Sequence, residues 1–287
     1  MIVVIGGSGQ LGSDICRELE QNYEIKKLEH ENFCVERPQD VYSTLLELEP
    51  EIIINTAAYH NVNLCERYPK KAFLINGIAL KYLSDVCNNI DSTLVHFSTD
   101  YVFGGERERR IPYVETDKTA PLQIYGVSKV AGEQIIEAYC KRYFILRISG
   151  LYGIHGTSAK KYPNFVEMMI SLGNKAKDSM PSAKDQRLTF NHTVEIAKVV
   201  KKLVETDEYG LYHATCEGDS SRLEFTQEIF NLMGINTELK GVNSEYFDPN
   251  YEQPSYSVLE NKKLKKLGIE MPHWKDALKD YIRVRRE

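Results

Sequence analysis

The chain opens with Ile2-Val3-Val4-Ile5 and runs straight into Gly6-Gly7-Ser8-Gly9-Gln10-Leu11-Gly12. A β-branched run that stops at glycines predicts a strand and a tight turn. Leu11, Ile15 and Leu19, at helical intervals, predict a helix after it. The glycines are spaced Gly6-x-x-Gly9-x-x-Gly12. In that setting Gly6 permits the turn, Gly9 lets the backbone approach a pyrophosphate, and Gly12 lets the helix pack on the strand. The helix N-terminus then offers free N–H groups to phosphates. A glycine turn with no ligand can carry the same letters; its place after the first strand favours a dinucleotide.

The rest of the first half alternates strand and helix. Strands are expected at Tyr23–Leu28, Glu51–Asn55, Thr93–Phe97 and Tyr143–Ile148. Helices are expected at Val41–Leu48, Pro69–Asn89 and from Tyr125 to Arg142. Such alternation implies a parallel sheet with right-handed crossovers, and ligands then bind off the carboxyl ends of the strands. The fold class is α/β, a Rossmann-type doubly wound parallel sheet with a smaller C-terminal substrate-binding lobe. The cofactor domain is expected over residues 1–150, with a segment near 185–215 returning to it; residues 151–287 mainly form the lobe. There, helices are expected at Pro163–Leu172, Thr193–Val204, Glu224–Met233, Leu259–Leu267 and Trp274–Arg285, with a strand at Gly210–His213.

Glu29 ends the second strand, some twenty residues after the glycines. A carboxylate there accepts hydrogen bonds from ribose hydroxyls and repels a 2′-phosphate, which slightly favours NADH over NADPH. The alternative is a solvated loop acid, which Glu31 could equally be. Tyr-x-x-x-Lys occurs twice, as Tyr23/Lys27 and Tyr125/Lys129. The first pair lies on a strand, where the side chains share no helical face. The second opens a helix, so phenol and ammonium project together. An ammonium beside a phenol lowers its pKa and makes it a useful proton donor to a carbonyl.

Composition narrows the partners. The 287 residues are 42% hydrophobic with a net charge of −5, which argues against a nucleic-acid binder. The basic runs at Lys262-Lys263, Lys265-Lys266 and Arg283 to Arg286 read as solvated faces. Six scattered cysteines without Cys-x-x-Cys read as reduced thiols, and no metal-ligand spacing occurs. With no leader-like start and no long apolar run, a cytoplasmic protein is expected, without a membrane partner.

With these residues in view, the chain resembles the extended short-chain dehydrogenases/reductases, and among them the dTDP-4-dehydrorhamnose reductase family. The likeness runs nearly end to end. It rests on Gly6-x-x-Gly9-Gln10-Leu11-Gly12, Asn55-Thr56-Ala57-Ala58 and the more specific block Ser98-Thr99-Asp100-Tyr101-Val102-Phe103. It continues through Glu115-Thr116-Asp117, Pro121-Leu122, Tyr125-Gly126-x-Ser128-Lys129-x-Ala131-Gly132-Glu133, Asn164-Phe165 and Asp185-Gln186.

The resemblance implies reduction of the 4-keto group of a nucleotide-linked 6-deoxy sugar by NADH or NADPH. Tyr125 would donate the proton, Lys129 would tune it and hold the nicotinamide ribose, and Thr99 would bind the carbonyl oxygen beside Asp100. Gly6, Gly9, Gln10, Leu11 and Gly12 would meet the pyrophosphate, and Glu29 the ribose. Cys34 and Val35 would lie near the adenine, where the family often has an acid. Ala57, Ala58, Tyr59, His60 and Asn76 would flank the cofactor's middle.

The sugar side departs from the pattern. Ser149-Gly150-Leu151-Tyr152-Gly153 puts Gly150 where the family has a tryptophan. Asp185-Gln186-Arg187-Leu188-Thr189-Phe190-Asn191 replaces Asp-Gln-x-Gly-x-Pro-Thr. Gln253-Pro254-Ser255-Tyr256-Ser257 loses an arginine. Arg187 is either a replacement charge for a diphosphate or a surface arginine. A different nucleotide sugar is therefore open. So are a non-catalytic regulatory subunit of the same fold, as with methionine adenosyltransferase, and a nucleotide-sugar epimerase. A homodimer is possible.

Overall fold

The structure, a computed structural model, describes residues 1–154, 164–247 and 250–286. Strands β1 (Ile2–Ile5), β2 (Ile25–Leu28), β3 (Ile52–Asn55), β4 (Thr93–Thr99) and β5 (Tyr143–Ile148) pair in parallel with the strand Gly210–His213. Their order is Gly210–His213, β5, β4, β3, β1, β2. The register sets Ile2 beside both Ile25 and Ile52, and Leu94 beside Tyr143. β1 and β3 are buried throughout, as expected of strands covered on both faces. β2 forms an edge and exposes Lys26 and Lys27, charges that discourage further strand pairing.

Side-chain alternation divides the core between two faces. Ile2, Val4, Ile52 and Ile54 join one cluster with α1 (Gln10–Leu19) and later helices; Val3, Ile5 and Ile53 join another with α2 (Pro38–Leu48) and later helices. After β3 come α3 (Val62–Arg67) and α4 (Pro69–Phe73), then a π-helical turn at Leu74–Ile78 and α5 (Ala79–Asn89). The single helix expected at Pro69–Asn89 is thus interrupted. Apolar periodicity does not reveal a π-turn, which adds a residue without changing composition.

Helix α6 (Ile124–Tyr139) follows β4. Farther on lie α7 (Phe165–Lys175), α8 (Thr193–Val204) and α9 (Arg222–Met233). The start expected for α7, Pro163, lies outside the described residues. Strand Ser179–Ala183 pairs in parallel with Glu238–Val242, a pair the sequence reading lacks. Its residues carry Pro181, Gly241 and several polar side chains, which hide strand character. In the stretch expected to be helical over Leu259–Leu267, only Lys262–Lys266 is; Leu259 bridges Tyr113 as extended chain. Among the described residues, no helix is long and apolar enough to cross a membrane and no acidic, His or Cys cluster suits a metal.

Candidate active site

A cleft of about 680 Å³ runs along the carboxyl ends of β1, β3 and β4. Its floor begins at the glycine turn. Gly6 has φ +76°, a conformation side chains resist. Its carbonyl receives Gly9 N–H at 3.0 Å, and a Cβ on Gly12 would stand 2.2 Å from that same oxygen. The turn therefore closes only with glycine at 12, and it leads directly into α1. Gln10 Nε2 is buried there with no hydrogen-bond partner among the described residues. A bare glycine cradle, a helix N-terminus and an unsatisfied amide fit the pyrophosphate of a dinucleotide.

Glu29 reaches this turn. Its Oε1 accepts Ser8 N–H at 2.8 Å and its Oε2 accepts the Ser8 hydroxyl at 2.5 Å. Val35 also lines the cleft, as do Ala57, Ala58, Tyr59 and His60. Thr56 fixes the start of that last segment by donating to Ile5 O at 2.7 Å.

The opposite wall carries Thr99, Asp100, Tyr125 and Lys129. Gln123 caps α6 by accepting Gly126 N–H at 2.9 Å. A Cβ on Gly126 would sit 2.2 Å from Tyr101 O, so glycine lets α6 start against the turn that follows Thr99. This brings Tyr125 beside Thr99. Asp100 is buried; its Oδ1 accepts the Thr99 hydroxyl at 3.2 Å and its Oδ2 the Ser257 hydroxyl at 2.6 Å. Burial raises its pKa, opposed by the Ser257, Ser149 and Thr99 hydroxyls.

An ammonium beside the phenol would lower its pKa. In the structure burial raises Tyr125, with Thr99 opposing, and burial brings Lys129 down to about 7, with Glu133 opposing. Desolvation is the largest cause at both groups. Lys129 Nζ lies 2.9 Å from His96 Nε2, a partner the sequence reading lacks because His96 looks like any strand residue.

Three expected contributors do not line the cleft. Asn76, in the π-turn, sits behind its wall: Oδ1 accepts Tyr59 N–H at 2.8 Å, and Nδ2 donates to Tyr59 O and Ser128 Oγ. It ties the Tyr59 segment to α6. Cys34 is buried, with its thiol toward His30 at 3.6 Å. Arg187 is ion-paired to Asp219 and, at 3.1 Å, to Glu224, so its charge is already matched.

Gly150 does line the cleft, but with φ +39° and a would-be Cβ 2.9 Å from Thr189 O. Phe190 packs at that spot instead, its ring 3.1 Å from the same position. The backbone itself excludes the tryptophan. A second cleft of about 650 Å³ is lined by Phe165, Met168, Met180, Phe247 and Arg222. Arg222 begins α9, donates to Gln186 Oε1 at 3.2 Å, and lowers the pKa of Tyr101 against burial. Nothing in its local sequence marks it.

Carbonyl chemistry with a dinucleotide is what such a cleft can host, and the class it defines is that of NAD(P)-dependent oxidoreductases with the extended short-chain dehydrogenase/reductase fold. The family is more particular: the chain belongs to the family described as RmlD substrate binding domain, which matches residues 1–286. The spore coat polysaccharide biosynthesis protein SpsK of Bacillus subtilis is 35% identical, over 99% of this chain and 97% of its own. The solved dTDP-4-dehydrorhamnose reductase of Clostridium acetobutylicum superposes with a TM-score of 0.93 at 34% identity, covering 100% of both chains. The dTDP-4-dehydrorhamnose reductase of Bacillus anthracis, solved with NADP, gives 0.92 at 32%, covering 99% and 98%.

Proposed function

We propose that the protein reduces the 4-keto group of a nucleotide-linked 6-deoxy sugar. The observation that carries this is the meeting of Thr99, Tyr125 and Lys129 in one cleft with the glycine turn. When bound, the reduced nicotinamide supplies the hydride to the carbonyl carbon. Tyr125, kept as a phenol by burial, gives its proton to the carbonyl oxygen. The Thr99 hydroxyl, which donates to Asp100 Oδ1 in this structure, turns its one proton to the carbonyl oxygen when the sugar binds. Residues 1–150 serve the cofactor, with the 185–215 segment returning to them; the remainder serves the sugar nucleotide. In that lobe Phe165 offers a face for a base, and Arg222 stands between it and Tyr101 to meet a diphosphate. The relatives named for dTDP-4-dehydrorhamnose make that substrate the first to try.

The test is oxidation of NADH and of NADPH with a panel of dTDP- and UDP-linked 4-keto sugars. Tyr125→Phe is expected to lose about a thousandfold in kcat while still binding cofactor. A protein that binds cofactor but turns over no member of the panel, unchanged by Tyr125→Phe, would be a regulatory subunit and not a reductase.

A further inference from the structure

A strap from the far end of the chain closes the back of the turn that follows Thr99. Its backbone is clamped on both sides. Arg187 N–H donates to Ser255 O at 2.9 Å, Ser257 N–H donates to Arg187 O at 3.0 Å, and Tyr113 N–H donates to Val258 O at 2.8 Å. Its side chains pack on the turn. Pro254 lies against Gly104, where a Cβ would stand 3.0 Å from the proline ring, and Tyr256 and Val258 cluster with Val102 and Phe103. Between them Ser257 reaches Asp100, 157 residues away in the chain, and donates to its Oδ2 at 2.6 Å. Ser257 is 2% exposed and stays behind the cleft wall, whereas Asp100 lines the cleft.

The two hydroxyl bonds on that carboxylate are unequal. An ionised carboxylate only accepts, so both hydroxyls donate. The Ser257 bond, at 2.6 Å, has the length of a charge-assisted contact, whereas the Thr99 bond, at 3.2 Å, is longer than an ordinary hydroxyl bond. Thr99 Oγ1 also accepts Tyr101 N–H at 3.2 Å, so its oxygen is held while its proton is free to turn. We infer that Ser257 is a positioning residue for the reduction, anchoring Asp100 so that Thr99 can release the carboxylate and turn its proton to the sugar carbonyl. This rests on the reading of Thr99 as the group that binds the carbonyl oxygen. Burial works against the Asp100 anion, and Ser257 leads the hydroxyls that oppose it. Ser149 Oγ, close by, has no hydrogen-bond partner among the described residues, which leaves Ser257 as the anchor on that side. Without Ser257 the buried carboxylate would depend far more on Thr99, and the Thr99 proton would be held where the sugar cannot use it.

Steady-state kinetics of the full chain, with NADH and sugar nucleotide saturating, test this through a double-variant cycle. Ser257→Ala removes the hydroxyl and leaves the packing of Pro254, Tyr256 and Val258 in place. It should lower kcat about tenfold with the affinity for NADH unchanged, and Ser257→Thr, which keeps a hydroxyl, should recover most of that loss. Because Ser257 acts through Asp100, Ser257→Ala combined with Asp100→Asn should be no slower than Asp100→Asn alone. Losses that multiply, or a Ser257→Ala enzyme with wild-type kcat, overturn the inference. Amide hydrogen exchange reads the same anchor without turnover. Tyr101 N–H, held by Thr99 Oγ1, should exchange about tenfold faster in Ser257→Ala, while Gly6 N–H, bonded to Leu28 O, should not change. If the wild type reduces no 4-keto sugar, the reductase reading fails and the exchange at Tyr101 decides alone: an unchanged rate there overturns the role of Ser257.

Discussion

The glycine turn on the cofactor side of the cleft is built from residues close in the chain and shaped by backbone, whereas the side facing the lobe is built from distant segments and shaped by side chains. At the glycine turn, Gly6 O, Gly9 N and the space beside Gly12 set the geometry within seven residues of chain. Across the cleft, Arg222 meets Gln186, Gln186 Nε2 donates to Gln253 Oε1 at 2.8 Å, and Ser257 meets Asp100. A backbone-shaped site fails when a single Cβ intrudes. A side-chain network can be rewired one partner at a time, so the departures from the family pattern gather there.

The sharpest way to break the first side is Gly12→Ala. Its methyl would stand 2.2 Å from Gly6 O, and backbone must move to admit it. Overpacking of this kind costs about 1–3 kcal/mol, and displacement of the turn should weaken cofactor binding still more. Thermal unfolding and fluorescence titration with NADH measure the two. Gly77→Ala is the control, because its Cβ would meet nothing nearer than 3.7 Å.

Lys129→Met tests the seam between the two sides. Activity should fall by about a hundredfold or more, yet the protein should gain roughly 1–3 kcal/mol of stability, because a buried amine is replaced by an apolar chain of similar length. The sign follows from linkage. Lys129 has a folded pKa of about 7 against an ordinary 10.5. Between those values unfolding takes up a proton, so wild-type stability falls as pH drops from 10.5 to 7 and Lys129 adds no further slope below 7. The advantage of Lys129→Met in urea unfolding should widen over that window.

Legibility in the sequence follows the same divide. The alternation of apolar strands and helices carries long-range information in local letters, which is why the parallel sheet and its ligand edge can be read from one chain. Lys27 could be set aside because it lies on a strand, and β2 indeed runs Ile25–Leu28. The hidden features are those that depend on through-space partners. Asn76 is a cofactor residue by resemblance, but a π-turn directs it to Tyr59 and Ser128. Arg187 looks like a free charge until Asp219 and Glu224, thirty-odd residues away, are folded beside it. Arg222 is the reverse case, an unremarked helix-start arginine that folding carries to Tyr101.

Arg222→Gln therefore breaks the second side without touching the first. If the guanidinium meets a diphosphate, KM for the sugar nucleotide should rise about tenfold or more, with kcat and the cofactor dissociation constant little changed. Steady-state kinetics at saturating NADH separate these. Arg187→Gln should leave KM near the wild-type value and instead loosen its own ion pairs, for about 1 kcal/mol or less at such an exposed site.

The smallest expected effect concerns a side chain that clasps the backbone-shaped side. Glu29 has both oxygens engaged by Ser8, one by the amide and one by the hydroxyl. Two roles are compatible with that clasp. As a ribose acceptor, Glu29 must exchange the Ser8 hydroxyl for a ribose hydroxyl and must disfavour a 2′-phosphate by charge. As a clasp alone, it only stiffens the turn. Glu29→Gln keeps the size and part of the hydrogen bonding but removes the charge. Under the first role the ratio of kcat/KM for NADPH to that for NADH should rise about tenfold, roughly 1.4 kcal/mol of lost repulsion, while KM for the sugar stays put. Under the second both cofactors weaken together and the ratio does not move. Ser8→Ala separates them further. Losing the hydroxyl frees Oε2, so NADH should bind a few-fold tighter if the ribose competes with Ser8, and weaker if the clasp is what the turn requires.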